Sequence, residues 1–94
     1  MTWKFDQAPN VACLATRSVM AGGPVLIATH YGDDHSWAFT DGRPAEGAEA
    51  MIVAMSEVLD LHPNLFEIAE LPPGWTARRI TVGAPWAKQQ DQPE

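Results

Sequence analysis

The 94-residue sequence predicts an α+β fold in which a small, mainly antiparallel sheet packs with one or two short helices. Three observations lead there. Val11–Thr16 sets Val11, Cys13 and Ala15 against Ala12, Leu14 and Thr16, and Trp75–Val82 sets Trp75, Ala77, Arg79 and Thr81 against Thr76, Arg78, Ile80 and Val82, the two-faced pattern of strands. Leu65, Ile68 and Ala69 stand at i, i+3 and i+4, the spacing of one helical face. Gly and Pro clusters separate these stretches: Gly22-Gly23-Pro24, the run 40–48 and Leu71-Pro72-Pro73-Gly74.

Taken in order, Val11–Thr16 is the first expected strand and Val25–Thr29 the second. The glycine pair and proline between them read as turn chemistry, so these two strands are expected to pair antiparallel through a long connection. His30–Ser36 is a polar connector. Trp37-Ala38-Phe39 then places two large aromatics on one face of a short strand. The run 40–48 (TDGRPAEGA) has surface-loop composition, and Ala50–Met55 (AMIVAM) is a further strand, with a helical start as its alternative.

Ser56 is placed to cap a short helix over Glu57–Leu61, because its hydroxyl can accept a free N–H at a helix start. His62-Pro63 splits the helical region into two short pieces, since proline is tolerated in a first turn and breaks an interior. Pro73 and Gly74 set a turn before the final strand, Trp75–Val82. The expected core is Val11, Leu14, Val25, Ile27, Trp37, Phe39, Ile52, Leu59, Leu65, Ile68, Trp75 and Ile80. Residues 1–87 are expected to form one α+β domain and 88–94 (KQQDQPE), which lack apolar side chains, a flexible tail.

Six Lys and Arg against twelve Asp and Glu give a net charge of −6, which argues against nucleic acid as a partner, because phosphate binding needs clustered cations. The acidity is concentrated: nine acids lie between Asp33 and Glu70, with Arg43 as the single Lys or Arg among them. Such a stretch is either a solubilising surface or a docking face for a basic partner. Met1–Asn10 has no apolar leader core and no run approaches a membrane span, so a cytoplasmic location and no membrane association are expected. The lone Cys13 sits in an apolar run and reads as a buried, unreactive thiol.

Chemistry-bearing clusters are sparse. His30 and His35, with Asp33 and Asp34 between them, offer ligand types suited to zinc or ferrous iron, but five-residue spacing across a strand end does not make them converge. The competing reading has Asp33 and Asp34 building the turn by accepting local N–H bonds. Paired acids (Asp33 with Asp34, Asp41 with Glu46) lack the divergent environments of an acid–base pair, and no serine has a nucleophile-elbow context. No catalytic residue and no cofactor is therefore assigned. Trp3 and Trp86, near the termini, either close the edge of the core or contact a partner.

The order of features resembles a family of short bacterial proteins with a W-x-F motif, distantly similar to predicted immunity proteins of polymorphic toxin systems. The residues that carry it are the Gly22-Gly23-Pro24 turn, a strand ending in His30, the acidic connector, Trp37-Ala38-Phe39, and Leu71-Pro72-Pro73-Gly74-Trp75-Thr76-Ala77-Arg78-Arg79. The resemblance implies a binding role. With the charge pattern, it sets the expectation of a non-enzymatic interaction domain that meets a basic protein through Asp33, Asp34, Glu46 and Glu49, with Trp3 and Trp86 as further contacts. The alternative expectation is a small metal-binding domain or metal-dependent enzyme built on His30, His35 and their neighbouring acids.

Overall fold

A computed structural model describes residues 3–42 and 50–91. In chain order the elements are β1 (Ala12–Thr16), α1 (Arg17–Met20), β2 (Ile27–His30), β3 (Trp37–Thr40), β4 (Ala50–Ala54), α2 (Met55–Leu61), a 3-10 helix (Pro63–Ile68), β5 (Trp75–Arg78) and β6 (Ala87–Gln90). The strands form one six-stranded sheet in the order β4-β1-β3-β2-β5-β6, antiparallel throughout except where β1 runs parallel to β3. The α+β class and its small sheet are as the sequence predicts.

The expected antiparallel pairing of the first two strands is corrected, because β3 lies between β1 and β2. The connection after β1 is a helix. Thr16 caps α1, its Oγ1 accepting from the Val19 N–H at 3.4 Å. The glycine pair ends that helix: Gly22 N–H donates to Val19 O at 3.1 Å and Gly23 N–H to Ser18 O at 2.8 Å, the paired bonds of a Schellman motif. Gly22 adopts φ +96°, which an L side chain resists, and a Cβ on Gly23 would meet Ser18 O at 2.8 Å. A short helix between the strands carries the chain over the sheet and frees the β1 edge for β3.

Direct cross-strand partners share a face, which assigns every side chain. Cys13, Ala15, Ala28, His30, Phe39, Trp37 and Ala77 point to the covered face, where Val19, Met55, Val58, Leu59, Leu65, Ile68 and Leu71 pack on them. Of the expected core, Val25, Trp37, Phe39, Leu59, Leu65 and Ile68 are buried, while Val11, Leu14, Ile27 and Trp75 are half-buried. Ile52 and Ile80 are corrections, at 73% and 90% exposed. Ile52 pairs with Leu14 on the face away from the helices. Ile80 lies beyond β5, which ends at Arg78.

Two further boundaries differ from what the sequence predicts. The N-cap of α2 is Ala54 rather than Ser56, and Glu57 Oε2 accepts from the Ala54 N–H at 3.0 Å. The helix already begins at Met55, so Ser56 lies inside its first turn, and the N–H groups of Met55 and Ser56 are taken by Val11 O and Pro9 O, both at 2.9 Å. The expected tail supplies a strand over Lys88–Gln90, because edge pairing with β5 uses backbone groups and needs no apolar side chain. The two helical pieces around His62-Pro63 are present, with proline opening the 3-10 helix. Most of the expected loop 40–48, Glu46 included, lies outside the described residues, as do Glu49 and residues 92–94.

Candidate interaction surface

Asp33 and Asp34 sit exposed in the connection between β2 and β3, and they do build the turn. Asp33 Oδ1 accepts from the Asp34 N–H at 2.9 Å, and Asp34 Oδ1 accepts from the Ser36 N–H at 3.0 Å and the Ser36 hydroxyl at 2.7 Å. The hydroxyl bond foremost, then the backbone bond, holds the Asp34 carboxyl below its ordinary range, so it remains charged. The chain closes through Tyr31 N–H to Ser36 O at 2.9 Å, with His35 in the left-handed region at φ 60°.

His30 and His35 do not form an open metal site. His30 is 2% exposed and lies flat against Trp37, ring centroids 4.1 Å apart and planes at 14°. Its Nδ1 is 2.7 Å from Leu71 O, and since a carbonyl can only accept, Nδ1 carries a proton. Its Nε2 lies 3.1 Å from Asp6 Oδ2 but without the alignment of a hydrogen bond. Asp6 Oδ1 accepts from Trp37 Nε1 at 3.1 Å. The His35 ring is exposed, with its centroid 6.1 Å from that of His30. Among the described residues no group of three or more His, Cys, Asp or Glu is arranged to hold a metal ion. Asp6 is the partner the sequence reading missed, since it lies 24 positions before His30 with no spacing signal between them.

Cys13 is buried on the covered face. Desolvation, with a smaller contribution from the Glu57 charge, pushes its thiol up to about 11 and keeps it a neutral side chain rather than a nucleophile.

Trp3 and Trp86 both pack half-buried against the core and flank the 3-10 helix. Trp3 meets Phe66 edge-on at 5.6 Å and donates from Nε1 to Gln7 O at 2.6 Å. Trp86 donates to Glu67 Oε1 at 3.2 Å and lies under the Arg79 guanidinium, 4.2 Å from its ring centroid. Arg79 also donates from Nε to Val25 O at 3.0 Å, so this cation is committed inside the fold. The two tryptophans thus belong to the helical side, whereas Asp33 and Asp34 belong to the connection between β2 and β3.

The other face of the sheet carries Leu14, Ile27, Thr29, Ala38, Ile52, Thr76 and Arg78, with none of the described helices packed on it. A groove of about 250 Å³ lies at its β1–β4 end, lined by Ala12, Leu14, Tyr31, Asp34, Ser36 and Ile52 together with Cys13 and Trp37 from the strands beneath. Its walls are predominantly apolar, and Asp34 is the acidic residue among them. Among the described residues no helix is long and apolar enough to cross a membrane. The chain matches no protein-family model, no curated protein and no solved structure.

Proposed function

We propose that this protein is a non-enzymatic interaction domain that binds a basic protein on the uncovered face of its sheet, with Asp33 and Asp34 facing the partner's cations. The observation that carries the reading is the predominantly apolar groove lined by Leu14, Ile52 and Tyr31, with Asp34 as the acidic residue of its lining. An apolar floor supplies affinity by releasing water, while a charged rim selects and steers the partner. The resemblance to predicted immunity proteins supports the same reading, with a basic toxin as the partner. Glu46 and Glu49 remain part of the proposed acidic surface on sequence grounds alone.

The test is equilibrium binding to the partner, isolated from the native host and purified. Asp33→Lys with Asp34→Lys keeps the fold, because exposed charges contribute little to stability, and weakens binding by about tenfold or more. Unchanged affinity in that variant would overturn the proposal.

A further inference from the structure

We infer that the basic partner docks by adding an extended strand to the free edge of β4; the inference rests on the reading above and specifies its geometry. Among the described residues β4 ends the sheet and pairs only with β1; its Ala54 N–H is taken by Glu57 Oε2, which leaves the stretch around Ile52 as the part open to pairing. Sheet edges in stable proteins are commonly guarded by charges, proline or a bulge, which prevent unwanted pairing. The two edges of this sheet are unlike. β6 (AKQQ) is wholly polar beyond its first residue and carries Lys88. β4 (AMIVA) has no charge and no proline, and its register runs unbroken from Ala12↔Ala54 to Thr16↔Ala50. Ile52 is 73% exposed and Met51 38%. An incoming strand there gains backbone hydrogen bonds and apolar contact with Ile52, whose side chain also lines the groove.

Charge identifies the occupant. At the Ala54 end of β4 stand Glu57, whose carboxylate binds the Ala54 N–H, and Asp34 across the groove from Ile52. The sequence from Ala50 to Ala77 contains no Lys or Arg to balance them. A strand with Lys or Arg at that end and alternating apolar residues beside Ile52 complements both features. A second copy of this chain does not, because each copy carries −6.

The experiment is an amide NMR titration with the synthetic peptide Lys-Lys-Val-Thr-Val-Thr-Val, an analogue N-methylated at alternate residues along one edge, and an analogue with Glu-Glu for Lys-Lys. The inference predicts saturable shifts in the β4 amides. Binding falls about tenfold or more on N-methylation, on the charge swap, and in Ile52→Lys. Ile52→Lys keeps the wild-type thermal midpoint because its side chain is already exposed. Still β4 amides at saturation, or indifference to N-methylation, would overturn the strand geometry while a Lys-dependent shift at Tyr31 and Leu14 leaves the basic-partner reading standing. Equal binding of the Lys and Glu peptides overturns both. A dimer in sedimentation that Ile52→Lys dissolves would assign the edge to a second copy and overturn the inference.

Discussion

Trp37 sits where the aromatic side chains of the core converge. It is 1% exposed, stacks on His30 at 4.1 Å and on Phe39 at 5.8 Å, meets Phe5 edge-on at 4.9 Å, and donates to Asp6. Trp37→Ala leaves a cavity where these rings converge and removes the bond to Asp6, so it destabilises the fold by about 3–5 kcal/mol. A urea midpoint near wild type would contradict this placement. Cys13 makes a second prediction, in pH. Its folded thiol titrates near 11 against an ordinary 9.0, so the folded state holds the proton where the unfolded state has lost it. The resulting stability is fully present below 9 and is lost as pH rises toward 11. Urea midpoints across that window should fall more steeply for wild type than for Cys13→Ala, and parallel declines would count against the buried thiol. Both residues were legible in sequence as apolar positions. Asp6 was not, because an isolated carboxylate gives no sign of the distant ring it will meet.

At the scale of elements, the sequence signals were physically sound but open in meaning. Gly22-Gly23 was recognisable as a place where the backbone needs glycine, yet a hairpin turn and a helix C-cap demand the same freedom. Only the position of Ser18 relative to the pair distinguishes them. Gly22→Ala forces an L residue to φ +96° with no steric neighbour involved, and destabilises by about 1–2 kcal/mol, measurable by denaturant unfolding. Ser56 and Glu57 illustrate the same ambiguity at a helix start. Since Glu57 supplies the bond to the Ala54 N–H, Ser56→Ala should change stability by less than about 0.5 kcal/mol and Glu57→Ala by about 0.5–2 kcal/mol. The reverse order, in thermal melts of the two variants, would restore Ser56 as the cap. Strand β6 escaped sequence reading because its side chains are all exposed and only its backbone is used.

On the scale of the whole molecule, one face of the sheet is closed by helices, and none of the described helices packs on the other. Alternation along β1 predicted two faces but not which one the helices would cover, so Leu14 and Ile52 were assigned to the core. They instead line a groove whose rim is the acidic turn, and that groove could not have been read from the sequence, since it joins β1, β4 and the β2–β3 connection. The charge asymmetry, by contrast, was plain in the sequence from the start. Its functional meaning is a question of rates, because surface charges steer encounters more than they hold complexes together. Stopped-flow association with the purified partner, from about 0.01 M to about 1 M salt, spans a contraction of the screening length from about 30 Å to about 3 Å. A wild-type rate that falls steeply over this range, and a slower, nearly salt-independent rate for Asp33→Lys with Asp34→Lys, is what a basic partner meeting this rim predicts. Equal rates in the two proteins, insensitive to salt, would contradict it.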